Sequence, residues 1–136
     1  MPRKEYMPPE PKCWIYDAGD GWKIYAGKTD EDNDIISTSF AKANEYWFHI
    51  NGMPGSHVFL RGPEDESKPS KELIKMAAAV AAWHSKARNG GKCSVDVTQA
   101  KCVSKPKGVP AGTVQLSSCN TIRVKPALPH IDAEQK

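Results

Sequence analysis

The sequence lacks the features that assign a chain quickly to a membrane, secretory or nucleotide-dependent class. No run approaches the roughly 18 to 20 apolar residues of a membrane span, and Met1 to Glu5 do not begin a signal peptide. There is also no Walker loop, no G-x-G-x-x-G motif and no G-x-S-x-G elbow. We therefore expect a cytoplasmic protein that spans no membrane, is not an enzyme and needs no cofactor.

Cysteine is sparse and never occurs as a C-x-x-C pair. The four cysteines are scattered along the chain, and in a cytosolic protein such residues are usually free thiols. A zinc site built from Cys93, Cys102, Cys119 and a histidine is a less favoured alternative, because structural zinc sites normally draw two ligands from neighbouring positions. We expect no metal.

The 136 residues, 39% hydrophobic and 26% charged, suit one soluble globular domain. Charge is unevenly distributed. Residues 10–68 contain eleven acidic and six basic side chains, whereas residues 81–126 contain eight basic side chains and one acidic side chain. A basic half is typical of a surface that binds a polyanion, but a solubilising surface has the same composition, and charge alone favours neither.

The N-terminal third predicts an arm, a hairpin and a short helix. Four prolines make residues 1–12 an extended arm before a domain spanning 13–126, and residues 127–136 form a flexible tail. Segments 13–16 and 22–26 flank a Gly-Asp-Gly turn, so we expect a hairpin that buries Trp14 and Tyr16. Asn33 is a candidate N-cap for a short helix that ends near Phe40.

Residues 45–61 hold most of the chemical information. Two aromatic-rich strands flank a loop with Asn51-Gly52, Pro54 and Gly55, which predicts a second hairpin. Trp47 and His49 share one face of the first strand, so one face can enter the core and the other can carry function. Ser56 and His57, as sequence neighbours, make a poor nucleophile and base, but a His49–His57 pair across the hairpin stays possible.

The remainder predicts one long helix followed by strands. Ser70 or Ser67 caps a helix that runs from about Ser70 to Arg88, before Asn89-Gly90-Gly91, with an apolar stripe that suits packing on a sheet. Strands follow at 93–98, 101–103, 113–116 and 121–125. The fold class is α+β: a mixed, mainly antiparallel sheet with one long helix packed on it and a short second helix.

Two function classes fit these observations. The loop from Lys105 to Gly112 has exposed amides and lysines that suit phosphate contact, which together with the basic half favours nucleic-acid binding. The alternative is a protein-interaction module without intrinsic RNA affinity, in which the aromatic residues of the central hairpin are simply core.

Several motifs occur in a fixed order along the chain. Gly27 precedes Asn33-Asp34 as in G-(x)5-N-D. Residues 45–49 and 52–58 resemble D-x-W-F-H and G-x-P-G-S-H-V, and residues 77–88 resemble an Ala-rich helix that ends in S-x-A-R. The segment 95–112 resembles V-x-Y-T, K-x-V-x-K-P-x-G and P-G-x-V. In this order the motifs resemble those of a known family, the NFACT-R (NFACT RNA-binding) domain, although Glu45 stands for the usual Asp and Val97 replaces an aromatic residue.

The resemblance implies a stand-alone, non-catalytic domain that recognises structured RNA, tRNA or rRNA, and that is linked to ribosome-associated quality control or tRNA metabolism. The ribosome and another protein are further candidate partners. Gly55 and Gly108 would serve backbone turns, and Ser56 could instead cap a backbone group. We also expect His57→Ala to lose binding with little loss of stability. The implied RNA-binding residues are Asn33, Trp47, His49, Ser56, His57, Arg61, Arg88, Lys105 and Lys107.

Overall fold

The computed structural model describes residues 9–63 and 68–129, so the predicted arm falls outside it up to position 8. It confirms the α+β class. These two ranges contain two α-helices, a π-helical turn, a 3-10 turn and eight strands. The helices are α1 (Asp30–Ile35) and α2 (Lys71–Trp83), and the turns are Ile36–Phe40 and Ala100–Cys102. The strands are β1 Cys13–Gly19, β2 Trp22–Gly27, β3 Tyr46–Ile50, β4 Val58–Arg61, β5 Cys93–Gln99, β6 Val103–Ser104, β7 Gln115–Leu116 and β8 Asn120–Val124.

Six strands form one sheet in the order β1-β2-β4-β3-β5-β8, and each neighbouring pair is antiparallel. Both predicted hairpins are present, and in the central one Trp47 lies opposite Phe59. Strands β6 and β7 form a separate two-stranded sheet. The 3-10 turn at residues 100–102 replaces most of the strand predicted at 101–103, so only its last residue belongs to β6.

Helix α2 covers one face of the sheet. Four of its five alanines are buried against strand residues that include Phe48 and Ile50. The Ser70 hydroxyl caps its first turn, as one of the two predicted alternatives, while Ser67 lies outside the described residues. The helix ends at Trp83, five residues earlier than predicted. The Ser85 hydroxyl donates to the carbonyl of Ala82 and accepts from the Ala87 amide, and these local bonds replace the next helical turn.

The opposite face is covered by α1, the π-helical turn and the small sheet. Trp47 is buried there with Ile36, Phe59 and Val103, so both faces of the central hairpin are internal, and the expected split into a core face and a functional face is wrong. Thr29 caps α1 and forms a reciprocal capping box with Asp32. Asn33 lies inside the helix, which corrects its assignment as the N-cap.

The burial of Trp14 and the end of the domain also differ from the prediction. Trp14 is exposed, because it lies on the edge strand β1. Its ring stacks on His84, just beyond the end of α2. The Ala127 amide donates to the Ala79 carbonyl, Leu128 packs on the core and Pro129 is buried, so the packed domain continues past residue 126. The rest of the predicted tail lies outside the described residues. Within the described part, no helix is long and apolar enough to cross a membrane.

Candidate functional site

His57, which directly precedes strand β4 of the central hairpin, is the centre of a buried polar network. It is 1% exposed. Its Nε2 lies 3.2 Å from the carbonyl oxygen of Gly112, its Nδ1 lies 2.6 Å from the Ser37 hydroxyl, and its amide donates to Asn33 Oδ1. The network therefore joins three segments that are far apart in the sequence.

The partners of His57 define its protonation. The Gly112 carbonyl can only accept, so the proton lies on Nε2 and Nδ1 accepts from Ser37. The Ser37 oxygen in turn accepts from Trp47 Nε1 at 2.9 Å. Burial, and then the neighbouring His49 ring, lower the pKa of His57 to about 4. At neutral pH the ring is uncharged and both of its nitrogens are engaged, so it cannot act as a cation toward phosphate.

Asn33 and Ser56 attach the hairpin loop to strand β2. Ser56 donates to the Gly27 carbonyl at 2.6 Å, and the Gly27 amide donates to the carbonyl of His57. A side chain at Gly27 would collide with the Asn33 amide. The spacing between Gly27 and Asn33-Asp34 is therefore explained by packing within the fold.

The loop from Lys105 to Gly112 is held against α1. Lys105 Nζ lies 3.3 Å from Asp34 Oδ2 and donates to the Pro110 carbonyl, while the Gly112 amide donates to the other Asp34 oxygen. Lys107 is exposed, and Gly108 has a φ of +82°, a conformation that favours glycine. Of the two lysines predicted to contact phosphate, Lys107 is the one presented to solvent.

Arg61 is bound within the protein. Its guanidinium contacts both carboxylate oxygens of Glu45, at 2.7 and 3.0 Å, and donates to the Phe40 carbonyl. It also lies 4.9 Å from the ring centroids of both Phe40 and Phe59. Although burial opposes the charge, the bonds to Glu45 raise the pKa of Arg61. An arginine paired in this way has little free charge for RNA.

His49 lies next to His57, with 5.3 Å between their ring centroids. Burial lowers the pKa of His49, although Asp96, which faces it across β3 and β5, opposes the shift. The Asp96 carboxylate also accepts from Asn51 and Thr121. The predicted histidine pair exists, but His57 has no free nitrogen with which to share a proton.

Gly55 joins the hairpin loop to the end of α2. It forms an isolated bridge with Ser85, and the adjacent Ser56 amide donates to the His84 carbonyl at 2.9 Å. A β-carbon at Gly55 would lie 2.8 Å from that of Ser85. The glycine is needed for this close approach rather than for a turn with positive φ.

A cleft of about 360 Å³ opens beside this junction. We call it the basic cleft. It is lined by Trp14, residues 27–30, Asn33, residues 54–56, residues 84–86 and Arg88. The lining includes three cationic side chains, Lys28, Lys86 and Arg88, and one acidic side chain, Asp30. The lining is therefore net positive and contains one exposed aromatic ring.

A second cleft of about 390 Å³ runs along the π-helical turn and the 3-10 turn. Its hydroxyl groups are largely engaged, because Thr38 and Ser39 donate to backbone carbonyls of α1. Lys101 is exposed there, whereas Lys105 is paired with Asp34. This cleft offers fewer free donors and no exposed aromatic ring.

Of the residues predicted to bind RNA, Asn33, Ser56 and Arg88 line the basic cleft, whereas Trp14, Lys28 and Lys86 line it without having been predicted. Trp14 was assigned to the core because an aromatic residue in a strand is usually buried. The signals available were its position in the first, and hence edge-prone, hairpin and the Lys86 within S-x-A-R. Among the described residues no group of three His, Cys, Asp or Glu side chains could hold a metal ion, and the four cysteines are free.

Comparison with known proteins gives a consistent result. The family model described as the NFACT protein RNA binding domain matches residues 12–118. The Rqc2 homolog RqcH of Bacillus subtilis is 34% identical over 91% of this chain, and its Streptococcus suis counterpart is 40% identical over 76%. The chain spans about a fifth of the length of these relatives, 21% and 18% respectively.

A solved structure shares the fold. The C-terminal part of the fibronectin/fibrinogen-binding protein from Streptococcus suis superimposes with a TM-score of 0.76 at 36% identity, covering 92% of this chain and 49% of the other. The family match covers most of the chain and includes the hairpin, the network and the basic cleft. This chain belongs to the family of NFACT protein RNA-binding domains.

Proposed function

We propose that the chain recognises structured RNA, tRNA or rRNA, through the basic cleft and the exposed Lys107 loop, without catalysing a reaction. The observation that carries this proposal is the meeting of three cations and an exposed indole in one cleft. Lysine and arginine neutralise phosphates, and aromatic rings add contacts to bases. Family membership and the homology to RqcH support the same role.

The local charge favours a polyanion. Lys28 and Lys86 are exposed and neither forms an ion pair in the described part of the chain, so their ammonium groups are available to phosphate. Arg88 stacks on Trp83, 4.7 Å from the ring centroid, and donates through Nε to the Trp83 carbonyl. That bond uses one of five donors and fixes the guanidinium at the rim of the cleft.

The polar groups of the motif support a binding role rather than a catalytic one. The Ser56 hydroxyl donates to a carbonyl and is buried, and the His57 nitrogens are both occupied. Neither residue has an unengaged group facing the cleft. A nucleophile or general base would need such a group within hydrogen-bond reach of its substrate.

The cellular setting is proposed from the relatives. Because proteins named Rqc2 homologs match this chain at 34% and 40% identity, we propose action in ribosome-associated quality control or tRNA metabolism in the cytoplasm.

The test is a binding titration against tRNA, rRNA fragments and duplex DNA at several salt concentrations. The double variant Lys28→Glu/Lys86→Glu should lower RNA affinity by about tenfold or more and reduce the salt slope by about 1.5 to 2 units, because two phosphate contacts are lost.

The matched control is Lys71→Glu/Lys75→Glu. These lysines are exposed in the first half of α2, more than about 12 Å along the helix from its end at Trp83. The variant makes the same change in net charge and should bind RNA nearly as well as the wild type. If both double variants lost RNA affinity equally, the basic cleft would not be part of the RNA interface. Binding that disappears near physiological salt for every nucleic acid would favour the protein-interaction module.

A further inference from the structure

Trp14 is a large apolar side chain that the fold leaves exposed at a fixed orientation. The residue is 38% exposed and lies on the edge strand β1. One face stacks on the His84 imidazole, with 4.2 Å between ring centroids and 12° between ring planes. The near-parallel stack leaves the opposite face of the indole as the one that a planar ligand can reach.

Hydrogen bonds hold His84, the residue on which Trp14 stacks, in place. His84 caps the end of α2, its amide donates to the Val80 carbonyl, and its Nε2 lies 2.7 Å from the Tyr16 hydroxyl. Burial, and then the nearby Arg88, lower the pKa of His84 to about 4, so the ring stays neutral at physiological pH. The imidazole can accept from Tyr16 and keep its stacked position without repelling the cations around it.

The accessible face of Trp14 makes only a weak cation–π contact, with Lys28. The Lys28 ammonium lies 5.5 Å from the indole centroid, and His84 already covers the other face. An exposed cation–π contact stabilises by about 0.5 to 1 kcal/mol, whereas stacking of a nucleobase on an aromatic side chain is worth about 1 to 3 kcal/mol. Because the lysine is exposed and flexible, a base can replace its ammonium group at the ring.

The surroundings suit the rest of a nucleotide. Lys28, Lys86 and Arg88 line the same cleft and can meet the phosphate that a stacked base brings with it. Its volume of about 360 Å³ falls within the usual range of small-molecule sites, about 300 to 1,000 Å³. Bases inside a duplex have both faces covered by their neighbours, so apart from the end base pairs only an unpaired base can offer a free face.

We propose that the basic cleft holds an unpaired nucleotide of the bound RNA, with its base stacked on Trp14 and its phosphate held by Lys28 and Lys86. This deepens the proposed RNA-binding function and rests on it. The stack accepts any base, because each base has a flat aromatic face. The domain thereby distinguishes looped, bulged or terminal nucleotides from paired ones.

The test compares a hairpin RNA that has an unpaired loop with a fully paired RNA duplex of equal phosphate count. Trp14→Ala should weaken hairpin binding about 5- to 150-fold, the range that corresponds to the stacking energy, and leave duplex binding unchanged. Trp14→Phe should retain most of the affinity. The wild type should show quenching of tryptophan fluorescence on binding the hairpin, and this quenching should be smaller in Trp14→Phe.

Two further variants separate stacking from folding. Trp14→Leu keeps apolar contact with His84 but has no aromatic face, so it should bind the hairpin as weakly as Trp14→Ala while melting close to the wild type. Ile15→Ala changes the neighbouring residue, which is 50% exposed on the other side of the strand, and should have no effect. Thermal melting of each variant verifies that the domain is folded.

The outcomes separate this inference from the proposed function. If Lys28→Glu/Lys86→Glu weakens RNA binding but Trp14→Ala and Trp14→Leu do not, base stacking is excluded and the exposed ring is left for a protein partner. Equal loss for hairpin and duplex in Trp14→Leu would also overturn the inference. If the wild type binds no RNA near physiological salt, both proposals fail.

Discussion

The buried network around His57 and the basic cleft around Trp14 are neighbours that share the 54–57 loop, but they differ in burial, hydrogen bonding and charge. The network side chains are buried and engage one another through directed hydrogen bonds. Trp14 and the three cations of the cleft are exposed, and the lining carries a net positive charge. The motif residues Asn33, Ser56 and His57 therefore form a buried support. The accessible surface combines Arg88 of the S-x-A-R motif with Trp14, Lys28 and Lys86, which stand at positions that no motif specifies.

The largest expected effect is on the network. His57→Ala should lower the free energy of unfolding by about 3 kcal/mol, because it opens a cavity and leaves Ser37 and Gly112 without their buried partner. The burial of His57 thus reverses the expectation of a small effect that the motif alone suggested. Urea denaturation followed by tryptophan fluorescence measures the change.

The matching measurement is the RNA affinity of the folded His57→Ala fraction, compared with that of Trp14→Leu. A support residue should alter stability far more than intrinsic affinity, and a contact residue should do the opposite. A stable His57→Ala protein that binds RNA poorly would place the imidazole at the interface and erase the distinction between the two regions.

Acid should destabilise the network next. The folded pKa of His57 is about 4, below the ordinary value of 6.5, so its contribution to stability is complete above pH 6.5 and is lost as the pH falls toward 4. Between pH 7 and pH 5 the free energy of unfolding should fall by about 2 kcal/mol from this group. His84, whose pKa is also lowered to about 4, adds a smaller part because it is more exposed.

Urea titrations at pH 7, 6 and 5 measure this dependence, and the pH stays above the range in which most carboxylates titrate. His57→Gln should be less stable at pH 7 and should lose most of the slope, while His84→Gln should lose a minor part. A wild-type stability that is constant from pH 7 to pH 5 would contradict a neutral, buried His57.

The smallest effects should separate two lysines of one loop. Lys107→Ala should leave the melting temperature unchanged and reduce the salt slope of RNA binding by about one unit, because one exposed phosphate contact is lost. Lys105→Ala should instead lower stability modestly, since Lys105 bonds to Asp34 and to the Pro110 carbonyl. Melting curves and salt titrations of both variants distinguish the roles. If the two variants had the same melting temperature and the same salt slope, the loop would have to leave α1 when RNA binds.

Local patterns predicted most of the fold. Alternating aromatic residues and Gly-containing turns gave both hairpins, and the Ser70 cap with its apolar stripe gave the start and the buried face of α2. One error was local: Thr29 rather than Asn33 caps α1, because Thr29 and Asp32 form a reciprocal pair of hydrogen bonds. The other depends partly on a tertiary contact. Helix α2 ends at Trp83, where Ser85 bonds to its own neighbours and also pairs with Gly55, thirty positions earlier in the chain.

The candidate site was less predictable for the same reason. Position in a motif does not show whether a polar side chain faces solvent or a buried partner, and here Asn33, Ser56 and His57 are buried. Glu45 and Arg61 satisfy each other across β3 and β4, which neither residue reveals alone. Trp14 is exposed on β1, and the place of this strand at the edge of the sheet is set by the order of all six strands.

The bridge between Gly55 and Ser85 has a consequence for how binding proceeds. It fastens the hairpin loop to the helix end, so two walls of the basic cleft are anchored to the same sheet before any ligand arrives. A site formed in advance loses little conformational freedom on association. RNA should therefore find a ready surface, and association should be governed by electrostatic attraction and by the opening of the nucleotide rather than by rearrangement of the protein.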